Sequence, residues 1–443
     1  MAIPAPSPLR RALAQPRLSG SPDALAASIA ALTVVWAAST AYLATTGHLH
    51  FAIVLAVLPV GAWLLGHPEV SALLFGASIP FLTSVGASNY STGLKYSPSD
   101  VLLTLSAAGV LLQAAVGRRV GLGARLRLVA APISQYAFLI VLLLAVHFGI
   151  HELIKSGQRY ELFVLPLVVG AFAAITGCHI RVLQAYVVAS TLVAAVQPIY
   201  SLGQHNPIGQ MIAGAILLLF AVKELRRLVP CLLVLVPGLI YDASRGAIVG
   251  LLAGAITVVA FQPRRDPVAL RRAIPLASLA VVAFLLAPSS VQQRLTTFGA
   301  NPDEVNQYAI YQRHQYANAA HKIIDAHPWF GVGVGNYQSA DLALRNADTQ
   351  VAASSDPHNV FLLQEAEGGY LFGVSFLALI FGTVFVLRRA RTTAVGPAAA
   401  GVLMATFVHG LVDVYWVRGT PDLSWLVVGM ACGSLAYSRE ALT

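Results

Sequence analysis

The chain has 443 residues, 57% hydrophobic and 11% charged, with a mean hydropathy of +0.71. Soluble domains run near ~45–50% apolar and ~25% charged, so this composition excludes a soluble enzyme and requires an integral membrane protein. The formal charge of +9, from 28 Lys+Arg against 19 Asp+Glu, is first a matter of which membrane side holds the positives. It implies no nucleic-acid partner. Cys178, Cys231 and Cys432 all lie inside apolar runs, which leaves no disulfide framework and no Cys-based zinc site.

Residues 1–23, with Pro4, Pro6 and Pro8 ahead of Arg10, Arg11 and Arg17, read as a basic cytoplasmic tail. The apolar run at about 24–46 exceeds the ~7–15-residue core of a signal peptide and reads as an uncleaved span. Further apolar blocks fall near 49–66, 69–86, 99–116, 128–148, 161–178, 181–200, 206–222, 228–241, 245–261, 273–288, 359–387, 396–412 and 421–437. At ~20 residues per crossing these predict an all-α polytopic transmembrane helix bundle of about 12–14 spans. Unbroken runs of this kind disfavour a β-barrel, whose strands alternate. N-terminal transmembrane helices then fill 24–288, a long loop fills 289–358, and C-terminal transmembrane helices with a short cytoplasmic tail fill 359–443.

Alternation from an inside N-terminus puts 19 of the 28 basic residues on one side, including Arg118, Arg119, Lys223, Arg226, Arg388 and Arg389. The positive-inside rule makes that side cytoplasmic and places both termini there. The loop 289–358 falls outside. It carries a polar, helix-compatible stretch at 303–326, then His327-Pro328 and the glycine turn GVGVGNY at 331–337. Loops this long are functional or disordered, and with Trp329, Phe330 and several tyrosines this one predicts a partly helical cap.

Ionisable residues at membrane depth are functional candidates by default. Here they gather at the outer ends of late helices. Arg245, in Ser244-Arg245-Gly246, offers a planar fork that matches phosphate oxygens two at a time; the plain alternative is an interface arginine that snorkels or pairs with Asp242. Arg313 lies on the polar stretch of the loop, where a solvated charge is the plain alternative, as it is for Arg294, Lys322 and Arg345. His358 follows Asp356-Pro357 and opens an apolar helix, a candidate to take a proton from a hydroxyl. Asn359 either orients that ring or caps the helix. Glu365 and Glu367 lie deeper in the same helix, with chemical or packing roles. His409, Asp413 and Trp416 share one face of a helix end and form either a pair lining the site or a buried hydrogen bond. No HExxH or carboxylate-rich DxD-like pattern appears, so the sequence assigns the charge work to arginine and not to a metal.

SRGAIVGLLAG (244–254), the loop arginine, HPWFGVGVGNY (327–337), HNVFLLQEAEGG (358–369) and HGLVDVYW (409–416) occur in that order. In this the chain resembles the bacterial O-antigen ligase and polymerase family over roughly residues 200–437. The glycine spacing after Glu367 differs by one residue from the family's usual pattern. The resemblance implies a polytopic glycosyltransferase of the bacterial inner membrane, with its active site facing the periplasm and no cofactor. It implies transfer of a glycan from undecaprenyl diphosphate to an acceptor hydroxyl, for the ligase branch on lipid A–core, in a phospholipid membrane. Carried onto this sequence, His358 is the catalytic histidine, Arg245 and Arg313 hold the diphosphate, and Asn359, Glu367 and Asp413 support them. Direct displacement without a second carboxylate predicts inversion at the anomeric carbon.

An O-antigen polymerase or a protein O-oligosaccharyltransferase would use the same donor. The ligase is preferred because little follows the last span, where a protein-modifying relative would carry a soluble region. A transporter or flippase for a lipid-linked glycan is the reading from another class; it would place symmetric repeats and broken charged helices at the midplane. A non-catalytic scaffold would make Arg245 and His358 replaceable.

Overall fold

The computed structural model describes residues 49–81, 98–115, 122–200, 205–262, 268–344, 354, 356–413 and 420–440. The expected tail at 1–23, the first span at 24–46, Arg345, Trp416 and Arg418 lie outside them. Sixteen α-helices and no strand occur among the described residues. The chain divides into two units, Met1–Trp63 and Leu64–Thr443; the described part of the first is most of α1 (Leu49–Gly66), apolar along its length.

The remaining helices are α2 (Pro68–Ser78), α3 (Pro98–Ala115), α4 (Leu122–Val146), α5 (Ile150–Ile175), α6 (His179–Tyr200), α7 (His205–Ala221), α8 (Leu232–Asp242), α9 (Arg245–Phe261), α10 (Val268–Leu286), α11 (Ser289–Thr296), α12 (Val305–Ala326), α13 (Tyr337–Leu344), α14 (Val360–Leu387), α15 (Gly396–Gly410) and α16 (Asp422–Glu440). Each apolar block of the sequence after the first overlaps one of them. The expected polar helix at 303–326 is α12. By length and composition α4, α5, α6 and α14 suffice to cross a membrane, and α10 with α11 would make a fifth although they bend by 119°. Pro288 causes that bend, since it lacks an N–H to continue the ladder. The Gln292 amide then donates to the carbonyls of Phe284 and Ala287 at 3.1 and 3.0 Å, answering groups that the bend leaves open.

Small residues decide which helices touch. α16 runs closely along α5, and α9 along α15. On α9, Gly246, Gly250 and Gly254 recur every fourth residue and meet His409, Ala405 and Gly401 of α15 in antiparallel order. A Cβ at Gly250 or Gly254 would stand 2.6 or 2.7 Å from the carbonyl oxygens of Ala405 and Gly401, too close for any side chain. Backbones approach this way in apolar surroundings because dispersion contacts replace the missing hydrophobic drive. The consequence is a fixed register: the first turn of α9 sits against the last turn of α15.

The segment after α12 interlocks with α14. Gly369 has φ 74° and ψ −179°, which breaks α14. Around the break, Val332 N–H donates to Ala366 O at 3.0 Å, Gly333 N–H to Glu367 O at 2.9 Å, and Tyr370 N–H to Pro328 O at 2.9 Å. Gly331, Gly333 and Gly335 all have positive φ, as the glycine turn predicts. Beneath the break, Arg159 of α5 pairs with Glu367 and donates to Gln364 Oε1 at 2.6 Å, which also accepts from Tyr136 Oη at 2.8 Å.

Candidate functional site

The site begins with a local turn. The carboxylate of Asp356 accepts from the His358 backbone N–H at 2.8 Å, holding His358 at φ 52°. A non-glycine residue in that region is uncommon and strained, and here it turns the imidazole away from the helix that follows. Asn359 caps α14, its Oδ1 accepting from Phe361 and Leu362 N–H at 2.9 and 3.1 Å. Of its two expected roles, Asn359 takes the cap.

Other elements orient the ring. Tyr316 of α12 stacks on it, centroids 5.3 Å apart and planes 14° apart. Arg313 lies three residues before Tyr316 and so on the same helix face. Asp413, just past α15, binds both: Oδ1 lies 3.0 Å from His358 Nδ1, and Oδ2 accepts from Arg313 Nη2 at 3.2 Å. The Asp413 side chain is 6% exposed, against 27% for His358 and 30% for Arg313. The carboxylate is therefore the buried anchor, and the two basic groups keep open edges. Burial alone would raise the Asp413 carboxyl; the hydrogen bond from His358 and the charge of Arg313 outweigh it and hold the carboxyl below its ordinary value.

Arg245 is the first helical residue of α9, behind a Ser244 cap whose Oγ accepts from Ala247 N–H at 3.3 Å. Its guanidinium donates to the Thr297 carbonyl and lies over the Phe298 ring, 5.6 Å from the centroid. Burial first, and then the charges of Arg313 and Arg294, disfavour the charged form of Arg245, a penalty that a bound anion would relieve.

His358, Arg313 and Asp413 thus come together, and Arg245 lies within electrostatic reach of Arg313. Glu367 does not join them: it is buried against Arg159, and its main-chain carbonyl holds Gly333. These contacts join the loop 327–336 and α5 to α14. Two contributors went unseen in the sequence. Tyr316 was legible in principle from the three-residue spacing to Arg313. Arg159 gave no signal, since its partner lies 208 residues away and topology alone made it an outer loop charge.

Residues 230–377 match the family model described as O-antigen ligase. The match supports a transferase of the ligase or polymerase kind in a multi-pass membrane protein. It contains Arg245, Arg313, His358, Asn359 and Glu367, while Asp413 lies beyond it. A search of curated proteins gave no match.

Proposed function

We propose that this protein is an O-antigen ligase of the bacterial inner membrane, moving a glycan from undecaprenyl diphosphate to a hydroxyl of lipid A–core. The segment 289–358 and the site then face the periplasm, with both termini in the cytoplasm. The observation that carries the reading is the His358–Asp413–Arg313 cluster, whose His358 and Arg313, like Arg245, lie in the segment matching the O-antigen ligase family, with Asp413 beyond its end.

The chemistry follows from the hydrogen bonds. Asp413, held ionised, is an acceptor only, so the shared proton sits on His358 Nδ1 and leaves the Nε2 lone pair free. Nε2 takes the proton of the acceptor hydroxyl as its oxygen attacks the anomeric carbon. The bond from that carbon to the diphosphate breaks, and its electron pair leaves on the diphosphate oxygen. Arg245 and Arg313 stabilise this developing charge, which no longer needs to be hydrated. General-base help of this kind is worth ~10²–10⁴-fold, and one displacement inverts the anomeric centre. Arg313 serves twice, by fixing Asp413 and by presenting its open edge to phosphate.

The test is purified protein in proteoliposomes with undecaprenyl-diphosphate glycan, offered lipid A–core, a second lipid-linked glycan, or an acceptor protein. Transfer to lipid A–core alone, lost in His358→Ala at unchanged protein level, is the expected result. Transfer only to the lipid-linked glycan makes the protein a polymerase, and transfer only to protein makes it a protein O-oligosaccharyltransferase. Equal transfer by His358→Ala removes the mechanism.

A further inference from the structure

Asp413 has a third neighbour, on the side away from His358. His409, one helical turn earlier on α15, is fully buried, and its Nε2 lies 3.9 Å from Asp413 Oδ2. The opposite edge of the ring is tied down: Nδ1 lies 3.0 Å from Gln210 Oε1, Gln210 Nε2 donates to Thr406 Oγ1 at 3.1 Å, and Thr406 and Ser424 share a hydroxyl hydrogen bond of 2.7 Å. Gln210 thus ties down the Nδ1 edge of the ring, and Nε2 is the edge that faces the carboxylate. That same edge rests on the first turn of α9. A Cβ on Gly246 would lie 2.5 Å from His409 Cδ2 and 2.6 Å from Nε2, and one on Gly250 would lie 3.2 Å from His409 Cβ. Gly246 directly follows Arg245.

We infer that His409 is a positioning residue, a rigid spacer that sets Asp413, and through it His358, in register with the Arg245 end of α9. It touches neither donor nor acceptor. The imidazole fills the gap between the carboxylate that orients the base and the backbone that carries a phosphate-binding arginine, so a shift of the ring moves one against the other. Misplacement of reacting groups by about 1 Å can cost ~10²-fold in rate. The glycine at 246 is then explained by the ring it must clear.

The kinetic half of this inference rests on the function proposed above; the positional half does not. Protein carrying ¹⁵N-histidine is reconstituted in nanodiscs, and the His358 resonances are assigned by their loss in His358→Ala. His409→Ala removes the spacer, and Gly246→Ala presses on the ring while leaving the histidine in the sequence, which keeps the question answerable should His409→Ala fail to fold. Both substitutions are expected to shift the His358 Nδ1 signal. Both are also expected to lower kcat per folded molecule by ~10²-fold with acceptor KM unchanged, the folded fraction being counted by size-exclusion chromatography so that unfolding is not read as a slower rate. An unmoved His358 signal in Gly246→Ala overturns the inference, as does a kcat unchanged in both variants. A wild-type protein that transfers no glycan while the His358 signal moves in both variants sinks the proposed function and leaves the positional coupling standing.

Discussion

Asp413→Asn replaces the anchor with a group of the same shape. The attraction between Asp413 and Arg313 across 3.2 Å is about 5 kcal/mol at an effective dielectric of 20, but the cost of burying the carboxylate offsets much of it. The larger effect comes from hydrogen-bond direction. Arg313 can only donate, so the asparagine must turn its carbonyl oxygen to Arg313 and its amide N–H to His358. Nδ1 then has to accept, which moves the ring proton to Nε2, the edge the acceptor hydroxyl needs. The variant therefore loses base catalysis while keeping its packing, a fall of ~10²–10⁴-fold in single-turnover rate, or roughly 3–5 kcal/mol of transition-state stabilisation. The assay is rapid-quench transfer of a labelled glycan to lipid A–core in proteoliposomes at saturating donor. A rate within threefold of wild type would show that the proton on His358 does not matter and would refute the reasoning.

The depressed Asp413 carboxyl gives a pH signature. Its contribution to stability is complete above the unfolded-state value of about 3.9 and is lost as pH falls through the lower native value; the melting-temperature gap between wild type and Asp413→Asn should close below pH 4, and a gap that persists there would contradict the anchor role. Arg159→Met leaves Glu367 buried and unpaired, which costs about 3–5 kcal/mol, whereas adding Glu367→Leu recovers much of that; thermal denaturation in detergent checks both, and a double variant no better than the single one contradicts the buried-pair account. Gly331→Ala forces a Cβ into a positive-φ position against the Glu367 backbone, a cost of at least about 1 kcal/mol, and should open residues 327–336 to limited proteolysis; an unchanged cleavage pattern would count against the interlock. Arg245→Lys keeps the charge but loses the planar fork, so donor KM should rise about tenfold with acceptor KM unmoved, and equal changes in both would argue against diphosphate binding there.

Much of this arrangement could be read from the chain itself, for identifiable reasons. Helix positions followed from apolar runs because in a bilayer every backbone group must be satisfied within its own segment, and α12 followed from a polar stretch free of helix breakers. The site arginines and His358 stood out because charge is rare in this composition. Pairings across the bundle were not legible. His358 and Asp413 are 55 residues apart, Arg159 and Gln364 are 205 apart, and Gln210 and His409 are 199 apart, and no local period encodes such partners. Glu367 illustrates the difference: its depth in α14 marked it as important, but only the break at Gly369 and the incoming loop show that it holds structure. His409 shows the reverse, since spacing placed it beside Asp413 while the glycine it rests on belongs to another helix.

The most direct measurement is an electron cryomicroscopy structure of the protein in nanodiscs with undecaprenyl diphosphate bound. The account predicts the diphosphate between the guanidinium groups of Arg245 and Arg313, within hydrogen-bonding distance of both, with His358 Nε2 facing the side from which an acceptor would attack. A diphosphate held elsewhere, with neither arginine in contact and His358 turned from it, would contradict it.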